Sequence, residues 1–470
     1  MAVTTLTDFT SNKTLTAGTY WMPYDINCNG YTLTFDCTSG PIIIKRAGDY
    51  SFAYLGSSTG TVLNTTNSTT TNKVYLTDKN DDTIGEAIAG STGTPVKSGC
   101  SIVSLYSLAE GYQAGLVNCS TNFKNWEIRY ADNKEFVRIG RASNSTFSHT
   151  LELITFKNCD YSSVYVFYHV EAYTGPLQHF KNIQFDNTNT LSGTSRLISA
   201  AAVSSFQNIY IQDSSTSNYP CVVGLTGGAG SEYYNIKIKC SGGYGVQLFD
   251  CRSLSSTSKL SNWQTSVTFY LADAVLAKFY NCVFDYSLNS TTYAIHRTDS
   301  KILTLNFFNC VFKGYSKVFY NREYGGSHTT TIVATNCIFD SNTQLLNNDD
   351  LGHQTANYCG YYNNGETYWA RGANDFTSNP TFGNYNANAV IDPTFSTYAL
   401  SNGYVATAAA YDKTGSDTYD NLSIDETVYS PDGYAKTGTS KVNPGVYYKF
   451  TTLVPSPVLN NLFHVLAFPF

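Results

Sequence analysis

Phe279-Tyr-Asn281-Cys-Val-Phe284, Phe307-Phe-Asn309-Cys-Val-Phe312 and Ala334-Thr-Asn336-Cys-Ile-Phe339 are three copies of one six-residue phrase, set 28 and 27 residues apart. The phrase has an aromatic or apolar residue first, Asn third, and apolar residues at the fourth and sixth places. Upstream it recurs as Phe123-Lys-Asn125-Trp-Glu-Ile128, Phe156-Lys-Asn158-Cys159, Phe180-Lys-Asn182-Ile-Gln-Phe185 and Phe206-Gln-Asn208-Ile-Tyr-Ile211. Tyr233-Tyr-Asn235-Ile-Lys-Ile238 and Leu260-Ser-Asn262-Trp263 complete the series. From Asn158 to Asn336 the steps are 24, 26, 27, 27, 19, 28 and 27 residues. A fixed phrase at irregular spacing means that one strand is kept while its connections vary in length.

The period agrees with a simple geometry. Three strands of about five residues and three connections of about three make about 24 residues per turn, one coil of a parallel β-helix. Alternation within the phrase puts Cys, Ile or Trp and then Phe or Ile on one face, with Lys, Gln, Tyr or Val on the other, as a half-buried strand requires. A leucine-rich horseshoe would need a shorter period and a consensus Leu frame, and pentapeptide or hexapeptide helices a much finer repeat.

Two columns are expected from stacking one phrase on the next. Asn158, Asn182, Asn208, Asn235, Asn281, Asn309 and Asn336 are expected to form an amide ladder, each side chain bonding the coil above and below. Cys282, Cys310 and Cys337, with Cys159 at the matching place earlier, are expected to stack inward as small hydrophobic thiols.

These phrases resemble the coils of right-handed parallel β-helix repeat proteins of the pectate-lyase-like superfold. Val74-Tyr-Leu-Thr-Asp78-Lys-Asn-Asp81-Asp82-Thr-Ile-Gly85-Glu, followed by Gly90-Ser-Thr-Gly93-Thr-Pro95, resembles a strand-and-turn module common near the start of such helices. Asn379-Pro-Thr-Phe382 and Asp392-Pro-Thr-Phe395-Ser-Thr-Tyr398-Ala-Leu400 resemble the stretch that finishes the last coils. The family's small-residue, Pro-Ala-Ile-Asp ending is replaced by Ala408-Ala-Ala-Tyr411-Asp412-Lys-Thr-Gly415. The resemblance implies an all-β chain, a right-handed parallel β-helix (solenoid) with a small C-terminal β-rich tail or cap. Residues 1–60 are expected to hold the N-terminal cap and first coils, 61–415 the helix, and 416–470 a cap, oligomerisation or attachment segment. The superfold hosts lyases, hydrolases, adhesins and phage spikes, so it does not assign a function.

Composition narrows the classes. Only 14% of the 470 residues are charged, against about 25% in an average soluble domain. Thr, Ser, Asn, Gly and Tyr take the places of Lys and Glu, which favours strands and turns over helices. Like charges stacked about 4.8 Å apart would repel, whereas Thr, Asn, Tyr and Cys can stack on themselves. A net charge of −6 provides no basic face for nucleic acid. No apolar run approaches the roughly 18 residues of a membrane span. The start, Met1-Ala-Val-Thr-Thr-Leu-Thr-Asp-Phe-Thr10, reads without a secretory leader.

Residues that could carry chemistry are few. His149, His169, His179, His296, His328, His353 and His464 show no metal-ligand spacing, and the absence of a CxxC pair argues against zinc. Gly352-His353-Gln354 is a poor relative of the Gly-His-Gly of polygalacturonases. The acid pairs Asp81-Asp82 and Asp349-Asp350 are expected in solvated turns. A lyase of this fold needs carboxylates at one phrase position in successive coils to hold Ca²⁺, but the post-strand residues Asp285, Lys313 and Asp340 alternate in sign. Tyr361, Tyr362, Tyr368 and Trp369, in the Gly/Asn-rich stretch Gly360–Arg371, are candidates to stack on a sugar, or else to cover the helix end.

The expectation is therefore a non-catalytic structural or attachment protein outside a cell, at an extracellular or virion surface, as a capsid decoration, fibre or tailspike-like protein. A polysaccharide lyase or glycoside hydrolase is the runner-up, and a microbial cell-surface adhesin the third reading. No cofactor is expected; a homo-oligomer or larger assembly is, with a surface polysaccharide as candidate ligand, no nucleic acid as partner and no membrane span.

Overall fold

A computed structural model describes residues 2–51, 61–98, 100–101, 119–132, 137–139, 149–161, 165–169, 178–185, 189–191, 196–199, 204–213, 222–224, 232–240, 258–261, 264–265, 269–271, 276–280, 282–285, 293–297, 303–308, 310–321, 330–335, 337–347, 354–357, 359–366, 369–372, 375–377, 428–429 and 435–436. Every regular element among them is a strand. No helix among the described residues is long and apolar enough to cross a membrane. Most of the strands pair in parallel in one large, curled, solenoid-like sheet, while Val428–Tyr429 and Ala435–Lys436 form a separate antiparallel pair. The chain divides into two compact units, Met1–Ser231 with Lys239–Ser253, and Glu232–Ile238 with Leu254–Phe470.

In the first unit, two lines of short strands run side by side. Thr4–Thr5, Gly18–Met22, Ile42–Arg46 and Val74–Asp78 pair in parallel, as do Lys13–Leu15, Leu33–Asp36 and Thr61–Thr66. Both lines meet on the single long strand Cys119–Arg129, whose first half pairs with Thr61–Thr66 and second half with Val74–Asp78. His149–Lys157, Gln178–Phe185 and Ser204–Asp213 then stack on it in turn.

These strands do not keep a strict period of two, and the recurring Asn shows why. Phe123 and Trp126 are both buried, three residues apart, as are Leu151 with Ile154 and Phe180 with Ile183. Strict alternation would send one of each pair outward. The residue between them that absorbs the extra step has left-handed backbone: Asn125 at φ 56°, Leu153 at φ 57°, Asn182 at φ 56°. Asn enters that region more readily than other residues with a Cβ, because its short polar side chain bonds locally.

A second left-handed corner follows the last inward residue of the phrase. It is held by Tyr130 (φ 56°) and Asn158 (φ 54°) in the first unit, and by Gly314 (φ 75°), Ser341 (φ 55°) and Asn363 (φ 51°) in the second. This corrects the expected register. Phe156 pairs with Ile128 and Phe185, not with Phe123 and Phe180. Asn158 thus stands at the second corner, and the first-corner residue of that coil is Leu153. The true steps from Asn125 through Leu153 to Asn182 are 28 and 29 residues. Both corners favour Asn, so the recurring Asn marks either corner and does not by itself fix the register. Cys159, directly after Asn158, belongs with the second corner as well.

The second unit repeats the plan. Glu232–Cys240 is followed in register by Ser258–Ser261 and Gln264–Thr265, then by Leu276–Tyr280 and Val283–Asp285. Leu303–Phe308 with Val311–Lys313, Thr330–Thr335 with Ile338–Asp340, and Gln354–Asn357 with Gly360–Tyr362 continue it. Its core is aromatic. Phe284, Phe312, Phe339 and Tyr361 stack ring on ring, with centroids 4.7, 5.2 and 5.2 Å apart and planes within 10°.

The second corner carries an amide clasp that sequence reading missed. Asn342 donates to the Phe312 carbonyl (3.0 Å) and accepts from Tyr315 N–H (3.0 Å), bridging the corner of the coil before it. Asn364 does the same to Phe339 O (2.7 Å) and Asn342 N–H (3.0 Å), and its Oδ1 also accepts from Asn342 Nδ2 at 2.9 Å. In the first unit Asn189 spans Phe156 O and Cys159 N–H, at 2.7 and 2.9 Å. Each clasp supplies both groups that a tight turn leaves without a ladder partner.

Two outcomes follow for thermal melting. Leu153→Asn, which relieves a branched side chain of left-handed backbone, raises stability by about 1 kcal/mol; no gain would remove the conformational account of the recurring Asn. Asn342→Ala, which strands buried partners on two coils, lowers it by about 1–3 kcal/mol.

Candidate functional site

The densest polar constellation among the described residues lies in the first unit, on the outward rows of Ile42–Arg46, Val74–Asp78 and Cys119–Arg129. Lateral pairing sets Ile43, Tyr75, Glu127 and Thr155 in one row, and Lys45 beside Thr77 in the next. Residues 79–96 leave Val74–Asp78 and fold back over these rows as a strap. Its turns are tied by acids: Asp78 Oδ1 accepts from the N–H groups of Asn80 (2.9 Å) and Val96 (3.2 Å). Asn80 in turn accepts from Thr92 N–H at 2.9 Å. Gly85 (φ 63°) lets the strap descend until a Cβ would stand 2.7 Å from Thr19 Oγ1.

The expectation that Asp81-Asp82 is a solvated turn is corrected for its first member. Asp81 is fully buried, accepting from Thr77 Oγ1 at 2.7 Å, from Thr83 Oγ1 and, at 3.4 Å, from Arg129 Nη1. The turn is as foreseen, but it faces the sheet. Asp82 is partly exposed and lies 3.7 Å from Lys45 Nζ.

Glu127 is the hub of the ion pairs. Its buried carboxylate meets Arg129 Nε at 2.7 Å, Lys73 Nζ at 2.8 Å and Lys157 Nζ at 3.6 Å. Burial pushes its pKa up, but Lys73, Arg129 and Lys157 outweigh that and hold it below the ordinary 4.5. For Arg129 the same balance runs in reverse: burial disfavours its charge, while Glu127 and Asp81 more than restore it. Lys73 and Arg129 also lie over the Tyr75 ring, 5.3 and 5.7 Å from its centroid. Opposite charges sit on successive coils here, so the cluster staples coil to coil. Behind it, Arg46 turns inward and donates to the carbonyls of Ser98 (3.0 Å) and Tyr130 (2.6 Å).

The residues singled out from sequence are placed as follows. Tyr361 (1% exposed) and Trp369 (6%) are interior. Their rings lie against Phe339 and Phe319, and Trp369 Nε1 donates to Tyr361 Oη, which donates to Asp375. Neither therefore offers a ring face to a sugar; both pack against interior rings. Tyr362, next along the strand, faces out at 38% exposure, and Tyr368 lies outside the described residues.

Cys282, Cys310 and Cys337 are buried free thiols, joined by Cys359, which sequence reading overlooked. Burial first, then hydrogen bonding to the neighbouring thiol, pushes Cys310, Cys337 and Cys359 well above the ordinary thiol range. Cys359 was legible in Ala356-x-x-Cys359-x-Tyr361, which repeats Ala334-x-x-Cys337-x-Phe339 with the Asn replaced.

Asn182 is buried at its corner. Asn208 and Asn235 lie within strands, Asn208 laterally opposite Asn182 between the pairs Lys181–Gln207 and Ile183–Ile209. Asn281, Asn309 and Asn336 lie outside the described residues, as do Asp349-Asp350, His328, His353, His464 and most of 416–470. Among the described residues no three His, Cys, Asp or Glu side chains converge as a metal site would require.

No protein-family model matches the chain, and no curated protein is similar to it. Function is therefore argued from geometry.

Glu127 sets an acid limit. Because its folded pKa lies below the unfolded 4.5, its stabilisation is complete above that value and is lost as pH falls through the folded pKa. Melting followed from neutral pH into that acid range shows a steeper loss in the native chain than in Glu127→Gln, which lacks this titration; equal slopes would deny Glu127 the role.

Proposed function

We propose that the chain is a right-handed parallel β-helix that serves as a non-catalytic structural or attachment protein outside a cell, as a virion component of the fibre, decoration or tailspike-like kind. Parallel strands joined by crossover connections are right-handed in about 98% of cases, which supports the hand. The observation that carries the role is where the recurring polar residues go. The clasps of Asn189, Asn342 and Asn364, the buried thiols and the Glu127 staple all spend their bonding capacity between one coil and the next. Such side chains tie coil to coil as a scaffold requires, and the Glu127 staple does so on the outward rows as well. Exposed strand edges at the end of a solenoid need covers, which favours assembly of several copies.

The test combines a polysaccharide panel with a hydrodynamic measurement. The full chain, incubated with acidic and neutral polysaccharides with and without Ca²⁺, is expected to release no product and to run as a stable oligomer by light scattering. Turnover abolished by a single acid substitution would replace the structural reading with that of a lyase or hydrolase. Antibody labelling on particles rather than on a cell envelope is the outcome expected for a virion component; envelope labelling would make it an adhesin.

A further inference from the structure

Lys45 lies in the outward row of Ile42–Arg46, laterally paired with Trp21 and Thr77, and its side chain is 0% exposed. Among the described residues its Nζ has no hydrogen-bond acceptor. An ammonium in that position has lost its hydration, and only an ion pair opposes that cost. What faces it is the underside of the strap, with Asp82 Oδ1 at 3.7 Å and the acids Asp81 and Glu86 next in range.

Both partners are held. The Ser91 hydroxyl lies 3.0 and 2.9 Å from the two carboxylate oxygens of Asp82. The strap is fastened to the sheet by Glu86 N–H donating to Thr19 Oγ1 at 2.9 Å, beside the close approach of Gly85. Lys45 is carried by a strand buried along its whole length. Burial favours the neutral amine and lowers the Lys45 pKa, although Asp82, Asp81 and Glu86 oppose that shift.

We propose that Lys45 and Asp82 form a covalent cross-linking site, at which amine and side-chain carboxylate condense to an amide that fastens the strap to the sheet. Within the pair the ammonium passes one proton to the carboxylate. The neutral amine then attacks Asp82 Cγ: the N–C bond forms, a C–O bond breaks, and the hydroxyl leaves with a second amine proton as water. Ammonium plus carboxylate thus give amide plus one water, with no oxidant, reductant or further reactant. Between free partners in water this condensation is unfavourable. Within one folded chain, where Nζ and Oδ1 stand 3.7 Å apart, the step is intramolecular, and such steps reach effective molarities on the order of 10⁵ M or more when side-chain motion closes the pair to near-attack geometry. The product also removes a buried charge that has no hydrogen-bond acceptor and closes a loop, restricting the unfolded chain as a disulfide does.

Intact-mass spectrometry of the purified full-length chain, followed by a tryptic map, decides it. The expected result is a chain lighter than its sequence by one water, with a branched peptide joining the Lys45 and Asp82 segments. Lys45→Met and Asp82→Ala, each checked for the native circular dichroism, are expected to carry their full sequence masses. A folded native chain that keeps its full mass after prolonged incubation at neutral pH, with separate Lys45 and Asp82 peptides, overturns the proposal. So does loss of water that persists in either variant, which would place the dehydration elsewhere.

Discussion

Parallel pairing of each coil on the one before it is the constraint from which the rest follows. A strand that must hydrogen-bond to its own likeness on both edges cannot shift register without turning its inward residues out. The left-handed corners set that register. One sits inside the phrase, where Asn125, Leu153 and Asn182 let residues three apart both face the core. The other ends the phrase at Tyr130, Asn158, Gly314, Ser341 and Asn363. With two fixed bends, the connections between phrases are free to vary in length.

A bend inside a packed, solenoid-like stack creates a polar problem, because it turns carbonyl and N–H groups out of the coil-to-coil ladder. The amide clasps solve it with a neutral side chain from the next coil. Asn suits this place because one group carries both an acceptor and a donor, so it meets O and N–H at once. Where a charge is used inside, as with Arg46, it is spread over several carbonyls. Outside, Glu127 faces three cations rather than another acid. The low overall charge thus suits stacking, and at Glu127, as at Lys313 beside Asp340, neighbouring coils differ in sign.

Much of this plan could be read in the residues, and the failures have definite causes. The phrase at Phe279, Phe307 and Ala334 is legible because inward residues recur at the same offsets in consecutive coils. The frame around Asn158 was misread because two corners share one preference, and Leu153, which breaks the pattern at the true position, gives no signal. Asn342 and Asn364 each stand three residues after the last inward ring, Phe339 and Tyr361, a spacing visible only once those rings are known to face in. Asp81 read as a solvated turn because local composition reports a bend but not what lies beneath it. Glu127, Lys45 and Arg46 gave no signal at all, since their partners come from distant coils.

The buried thiols of the second unit have a consequence for the life of the molecule. While the coils are stacked, Cys310, Cys337 and Cys359 are sealed from solvent and held protonated, so an oxidising medium finds no thiolate to attack. Once the coils part, the same groups become ordinary cysteines, free to pair in combinations that no parallel stack can accommodate. Unfolding in air would then be a one-way event, and the durability of the protein would be measured by how slowly its coils separate rather than by an equilibrium between folded and unfolded chains.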